Sequence, residues 1–292
     1  MEARLSDEAI DEGLLISGRH SDVTVKCGDK TWNLHRTILC SRCEFFRLAL
    51  GNRTLTEAEG PHVEIHDRVP THVNWGIHFI YTAKAPNDLL ALLKDEAIVM
   101  ETCVDLFEVA DFLILNKLRE CACRVLQEHL TSRAKRIQLL IRSETRIENP
   151  RYRSVGTPEN RQFLARFFDI VGRVYRLRST ASILLRDVLL EFPHLTCSII
   201  LRSRIFGSRL FTDRALSEFA QDILEEMVAE SESDHEVYIP RICGTCNQAM
   251  EFAAEFDVFM SREVAMQGFC AHCTGIGDLS DGLRSLGLAD PS

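Results

Sequence analysis

The chain has 292 residues, a formal net charge of −9 and 46% hydrophobic residues, enough to form one large or two ordinary domains. No stretch approaches the roughly 18 apolar residues of a membrane-spanning helix, and the first residues are too polar and acidic for a signal peptide. We therefore expect no membrane insertion and a location in the cytoplasm, the nucleus or both. The 11 cysteines are accordingly expected to be reduced thiols, some of them metal ligands, rather than a disulfide framework.

Residues 21–34 predict a β-hairpin. Val23 and Val25 alternate with polar residues, which is the period-two pattern of a half-buried strand. Gly28 and the residue after it lie where a hairpin must reverse, and the alternation resumes around Trp32.

Two short helices are predicted next, between Ile38 and Leu48. Apolar residues recur there at spacings of three and four positions, which places them on one face of a helix. Ser41 lies between the two pieces and is expected to cap the second one.

This order of strand, turn, strand and helical hairpin resembles the opening of the BTB/POZ domain. The resemblance continues downstream over a third strand, a helix that ends in Tyr81-Thr82, and a closing pair of helices. These segments are His62–His66, Val73–Ala83, Glu101–Leu115 and Lys117–Leu130. The similarity predicts an α+β fold, with residues 1–16 as an N-terminal segment and residues 17–130 as the BTB/POZ domain.

BTB domains mediate self-association and partner docking, and many recruit substrates to cullin-type ubiquitin ligases. In cullin-binding members a hydrophobic-x-Glu motif follows the second short helix, and Leu55-Thr56-Glu57 stands at about that place. An exposed Leu55 would fill a pocket on the cullin, while Glu57 would form a charge-assisted hydrogen bond at its rim. The alternative for so short a motif is an ordinary loop.

The resemblance also implies a charged pocket near a dimer interface. In the family, this pocket is formed by an Asp of the first strand and a basic residue after the His of the second strand, and Asp22 and Arg36 occupy those positions. The helix that commonly swaps between subunits would come from Leu5–Ile16, which is short and contains Gly13. A homodimer is therefore an expected partner arrangement, with the oligomeric state left open.

The following residues, 131–236, predict a helical domain with a linker near 149–161, because apolar residues recur at helical spacing on both sides of a Pro-, Gly- and Ser-containing stretch. This part resembles the helical extension that follows the BTB domain in many filamentous-fungal proteins. Between Thr131 and Arg214, 17 basic residues stand against 7 acidic ones. They form either solvated, partly paired helix faces or a surface for an acidic partner, and no nucleic-acid-binding motif is present, so nucleic acid is not an expected partner.

Residues 237–276 predict a small zinc-binding unit, followed by a tail at 277–292. Two C-x-x-C pairs are separated by 23 residues and can converge on one tetrahedral, structural Zn²⁺. The predicted ligands are Cys243, Cys246, Cys270 and Cys273. A unit this small would draw much of its folding free energy from the metal. The alternatives are unrelated buried or redox-active thiols, or a site that uses His272.

Two groupings are candidates for catalytic or metal sites. His62, His66, His72 and His78 cluster within 17 residues, which fits a metal site. Because His62, Glu64 and His66 share one strand face, the simpler interpretation is a polar outward face. Cys40 and Cys43 follow His35 and could act as nucleophile with His35 as base, but small buried cysteines are common in apolar helical hairpins.

No nucleotide-binding or hydrolase motif is present, so we expect no enzymatic activity. The sequence predicts instead an adaptor that recruits an unidentified protein cargo to a cullin scaffold. The alternative is a homo-oligomeric scaffold or transcriptional co-regulator without a ligase role.

Overall fold

The computed structural model describes residues 7–51, 62–144, 157–196, 200, 208–209 and 213–232. The chain divides into two compact units between Val125 and Leu126. This division falls inside one continuous helix and close to Leu130, the predicted end of the first domain.

A three-stranded sheet forms the β part of the first unit, with strand order β2-β1-β3. Val25 at the centre of β1 pairs with Trp32 of antiparallel β2 and with Val63 of parallel β3. Gly28 occupies the turn between β1 and β2 with φ +56°, a backbone conformation that glycine adopts without strain. The strands are β1 (Val23–Cys27), β2 (Lys30–Leu34) and β3 (His62–Ile65), and all three confirm the sequence prediction.

The two faces of the sheet differ in polarity as the alternation predicts. Val63 and Ile65 are buried, whereas His62, Glu64 and His66 are exposed. The interpretation of these polar residues as an outward face is thereby confirmed. Within the described part of the chain, no cluster of three potential metal ligands is present.

Helices make up most of both units, as predicted. In the first unit, α1 precedes the sheet, α2 and α3 lie between β2 and β3, and α4 to α6 and the first part of α7 follow β3. The helices are α1 (Asp7–Ser17), α2 (Arg36–Arg42), α3 (Glu44–Gly51), α4 (Pro70–Thr82), α5 (Asn87–Lys94), α6 (Val99–Phe112) and α7 (Asn116–Glu144). Helix α5 was missed by the sequence analysis, and α7 continues well past its predicted end at Leu130.

The prediction for Ser41 was wrong. Ser41 lies inside α2, where its hydroxyl donates to the Ile38 carbonyl at 3.1 Å. Cys43 is the extended residue that separates α2 from α3. The spacing of apolar residues located both helices but not the break between them.

The middle of α4 is packed unusually closely against the turn between α6 and α7. Trp75 is buried, and its indole N–H donates to the Asp88 carboxylate at 3.1 Å. At Gly76, a Cβ atom would overlap the Leu113 side chain, which is itself fully buried. Gly76 therefore provides the space in which Leu113 lies.

The second unit is helical throughout its described residues. Thr157 caps α8 by accepting a hydrogen bond from the Asn160 backbone N–H at 3.2 Å. Helix α8 thus begins inside the predicted linker 149–161, and the last part of that linker prediction was wrong. The helices are α8 (Pro158–Val174), α9 (Ile183–Leu195) and α10 (Arg214–Glu232), with a 3-10 turn at Thr180–Ser182.

Aromatic packing joins these three helices. Phe167 of α8 lies 4.8 Å from Phe192 of α9 and 6.2 Å from Phe219 of α10, measured between ring centroids. Tyr175 donates to the Asp222 carboxylate at 2.7 Å, which fixes α10 against the end of α8. Of the described helices, none combines the length and the apolar character needed to cross a membrane.

Arginines of the second unit are extensively paired with its acidic residues. Arg133 has a nearly buried side chain that contacts Glu159 at 2.6 Å and Asn160 at 2.8 Å. Other pairs are Arg176–Asp213, Arg209–Asp169 and Arg214–Glu218. These contacts support the interpretation of the basic segment as partly paired helix faces.

Replacing Gly76 tests the close packing of α4. We expect Gly76→Ala to destabilise the protein by about 1–3 kcal/mol, because the new methyl group must displace a buried leucine. Gly13→Ala is the matched control, since a Cβ there has no neighbour within 4 Å and alanine favours the helix by about 1 kcal/mol. Thermal and denaturant unfolding of both variants measure the difference, and equal stability would contradict this account of Gly76.

Candidate protein-docking surface

One cluster of apolar side chains on the first unit remains open to solvent. Leu48 is 54% exposed and Ile114 is 43% exposed, values that are high for large apolar residues. Phe45 and Phe112 are half-buried and in contact, with ring centroids 4.8 Å apart. We call Phe45, Leu48, Phe112 and Ile114 the aromatic patch. Leu48 follows Phe45 by one helical turn and Ile114 follows Phe112 by two residues, so both lie close in sequence to the Phe45–Phe112 contact. Large exposed apolar residues grouped in this way are typical of protein-interaction sites.

Helix α3 supplies half of the aromatic patch because it is amphipathic. Phe46 and Leu50 are buried and attach the helix to the domain. Phe45 and Leu48 are one helical turn apart and therefore lie on a shared, more exposed face. The helix thus presents two large apolar side chains from a rigid support.

The turn between α6 and α7 supplies the other half. Ile114 has a left-handed backbone with φ 58°, and the Leu115 backbone N–H donates to the Ala110 carbonyl at 2.7 Å. The Cys43 thiol donates to the Leu113 carbonyl at 3.2 Å. Together with the packing of Leu113 on α4, these bonds fix the positions of Phe112 and Ile114.

A cation lies at the edge of the aromatic patch. The Arg68 guanidinium carbon is 4.8 Å from the centroid of the Phe112 ring, within cation–π distance. The backbone carbonyl of Arg68 accepts a hydrogen bond from the Cys27 thiol at 3.3 Å. Arg68 is therefore held by the sheet on one side and by the ring on the other.

A buried hydrogen-bond network joins His35, just before α2, to Tyr81 near the end of α4. The His35 backbone N–H donates to the Tyr81 hydroxyl at 2.8 Å, and His35 Nδ1 lies 3.0 Å from the same oxygen. His35 Nε2 lies 2.7 Å from the Arg19 carbonyl, which can only accept, so this network assigns the ring proton to Nε2. Tyr81 then donates to Nδ1, and burial raises the pKa of Tyr81 to about 12.

These contacts bear on the catalytic interpretation of Cys40 and Cys43. Both ring nitrogens of His35 are engaged, one with Tyr81 and one with Arg19. Burial raises the pKa of Cys43 to about 11, whereas a nucleophilic cysteine needs a lowered pKa. The arrangement favours a structural role for these cysteines, with Cys43 buried in the core and Cys40 partly buried.

A family model for the BTB/POZ domain matches residues 12–130. These residues form a BTB/POZ domain. The BTB domain of zebrafish PATZ1 is a similar solved structure, 20% identical, with the match covering 42% of this chain and 93% of that chain at a TM-score of 0.32. No curated protein matches the chain. BTB/POZ domains mediate protein–protein interactions, so an interaction surface is the relevant kind of site.

The two residues predicted to contact a cullin, Leu55 and Glu57, lie outside the described residues. So do the four predicted zinc ligands, Cys243, Cys246, Cys270 and Cys273. The chain enters the segment 52–61 directly from the end of α3 at Gly51, the helix that carries half of the aromatic patch. The cullin contact and the zinc site therefore both stay predictions.

The structure brings Asp22 and Arg36 together, but the contact is made by the Arg36 backbone N–H and not by its guanidinium. The Asp22 carboxylate accepts a hydrogen bond from the Arg36 backbone N–H at 2.6 Å, at the first turn of α2. The Arg36 guanidinium donates to the Leu50 carbonyl at 3.1 Å, near the end of α3. The pair thus stabilises both ends of the BTB/POZ domain's helical hairpin, and its role near a dimer interface stays a prediction.

Sequence reasoning missed Arg68, Phe112 and Ile114 as site residues. Phe112 and Ile114 belong to an apolar run at a helix end, and that run gives no indication of which members are exposed. Arg68 meets Phe112 only through the fold, because the two residues are far apart in sequence. Phe45 and Leu48 were recognised, but only as apolar positions on a helix.

Substitution of Asp22 tests its capping role. We expect Asp22→Ala to destabilise the protein by about 1 kcal/mol, because an orphan helical N–H loses its acceptor. Asp22→Asn keeps an acceptor oxygen and should lose only the attraction between the carboxylate charge and the helix dipole, about 0.3–1 kcal/mol of stability. Glu12→Ala on α1 is the control, since that carboxylate is exposed. Denaturant unfolding measures the free energy of unfolding of the three variants. An Asp22→Ala variant that is no less stable than Glu12→Ala would contradict the capping role of Asp22.

Proposed function

We propose that the chain is a non-enzymatic adaptor that recruits a protein cargo to a cullin-type ubiquitin ligase. The supporting observation is the aromatic patch, whose α3 half leads along the chain directly into Leu55-Thr56-Glu57. Patch and motif would form one docking surface for the cullin scaffold. The second unit and the C-terminal segment would then present the surface for the cargo.

The chemistry of the aromatic patch suits a binding hot spot. Aromatic and large aliphatic side chains on rigid elements give much buried area for little loss of side-chain entropy. Phe45 and Phe112 already contact each other, so binding would not need to assemble them. A polar residue such as Glu57 at the rim would supply orientation rather than most of the affinity.

The test is capture of the cullin scaffold from a cell extract by the intact chain. We expect the wild-type chain to capture the cullin, and the Leu55→Ala/Glu57→Ala double variant to lose it. We expect Leu48→Asp to lose it as well, because a charge would be buried in the apolar contact. Loss of one hot-spot residue typically costs 2 kcal/mol or more, about a 30-fold weaker affinity.

The matched control is Leu224→Asp, an exposed leucine on α10 of the second unit. It changes the same residue type but leaves the BTB/POZ domain intact, so cullin capture should persist. Failure of the wild-type chain to capture cullin, while it is folded and retains other partners, would contradict the ligase hypothesis. The scaffold alternative would then be the one to pursue.

We also propose that Cys243, Cys246, Cys270 and Cys273 bind one structural Zn²⁺. The support is the paired C-x-x-C spacing, since four thiolates close a tetrahedral coordination sphere. The metal would stabilise the C-terminal unit rather than take part in chemistry.

Native mass spectrometry should find one zinc ion on the wild-type chain and none on Cys243→Ser or Cys270→Ser. Cys40→Ser is the control, because Cys40 lies in α2 and should leave the metal content unchanged. Chelation should remove the metal from the wild-type chain and expose the C-terminal residues to protease. Unchanged metal content in both Cys243→Ser and Cys270→Ser would contradict the proposed zinc site.

A homo-oligomeric scaffold is the second candidate, and α1 supports it. Ile16 is 79% exposed and Ile10 is 47% exposed, so this helix carries apolar surface that another copy of the chain would cover. Dimer formation by the BTB/POZ domain is compatible with both candidates, whereas cullin binding fits only the first. Cullin capture by the wild-type chain therefore decides between them, and the oligomeric state does not.

A further inference from the structure

We propose that Arg68 selects the partner on the aromatic patch by pairing with a carboxylate beside an apolar side chain of the cullin scaffold. This inference rests on the proposed function and adds to it the residue that sets specificity. It follows from the position of Arg68, from the charges around it, and from the rigidity of its turn.

Within the part of the chain that the structure describes, the Arg68 guanidinium is placed for recognition without an ion-pair partner. It lies over the Phe112 ring at 4.8 Å, and Arg68 is solvent-exposed. Its other contact within the described residues is 3.5 Å to the backbone carbonyl of Asp67, with no carboxylate at ion-pair distance. Stacking on a ring orients the planar guanidinium while its outer N–H donors stay available.

Neighbouring charges of the same helices are already compensated. On α3, Arg47 donates to the Glu44 carboxylate at 2.6 Å. At the end of α6, Asp111 contacts Arg119 at 2.7 Å. Each pair is close to neutral as a unit, so among the described residues beside the aromatic patch Arg68 supplies a charge that no carboxylate compensates. An acidic group on the partner complements this charge.

The turn that carries Arg68 is held at both ends. Before it, Asp67 has a left-handed backbone with φ 57°, and the Cys27 thiol donates to the Arg68 carbonyl. After it, Pro70 begins α4 and packs against Gly28, where a Cβ would lie 3.2 Å from the proline Cγ. A preorganised cation loses less conformational entropy on binding, which increases its contribution to affinity.

The occupant that fits is a cullin segment with an apolar side chain next to Asp or Glu. The apolar side chain would cover Leu48 and the two rings, and the carboxylate would reach Arg68. Such a pair would be partly desolvated at the edge of an apolar contact, where it is stronger than a fully exposed ion pair. It would also accelerate association, because opposite charges steer the encounter.

The experiment measures binding of the purified cullin scaffold to the intact chain, at low and high salt. We expect Arg68→Glu to weaken the affinity about tenfold at low salt, mainly through slower association. Arg68→Lys keeps the charge but not the stacked plane, and should lose about two- to threefold. The difference between wild type and Arg68→Glu should shrink at high salt, because the charges are screened.

Lys94→Glu is the charge-matched control, since Lys94 is exposed at the end of α5, a helix outside the aromatic patch. It should leave the association rate close to that of wild type. Arg68→Glu binding with wild-type rate and affinity would overturn the inference while leaving the proposed function intact. A slower rate that is unaffected by salt would also overturn it, because that result indicates a damaged turn rather than a lost charge. No cullin binding by wild type would contradict the proposed function, and this inference with it.

Discussion

The close contact between Leu113 and Gly76 is the constraint on which the docking surface depends. Leu113 is the last core residue before the left-handed Ile114, so its position determines where the α6–α7 turn presents Phe112 and Ile114. A side chain larger than hydrogen at position 76 would push this turn outward. An exposed apolar surface is thus positioned by a fully buried contact, which has no role in binding itself.

The aromatic patch exposes apolar side chains to water, and the elements that carry them restrict their movement. Phe45 projects from a helix that is anchored by Phe46, and Phe112 from a turn that is anchored by Leu113. Rigid presentation prevents these side chains from collapsing onto their own domain, which would hide them from a partner. Ion pairs lie on both units, such as Arg119 with Asp111 on the first and Arg133 with Glu159 on the second.

The sequence predicted those parts of the fold whose signals are local. Strand alternation around Val25 and helical spacing in α3 follow from one face being buried, and both elements formed as predicted. The start of α4 was placed too late, although Pro70 at its first turn is a local signal for a helix start. The contact between Arg68 and Phe112 was beyond prediction, since neither residue carries a local pattern that points to the other.

Two cysteine thiols hold the backbone on either side of the aromatic patch, Cys27 through the Arg68 carbonyl and Cys43 through the Leu113 carbonyl. Each bond requires the protonated thiol, because a thiolate has no hydrogen to donate. Burial raises the pKa of both groups above its ordinary value, in the case of Cys43 to about 11. Both thiols therefore keep their protons throughout the neutral range, so these two hydrogen bonds persist across it.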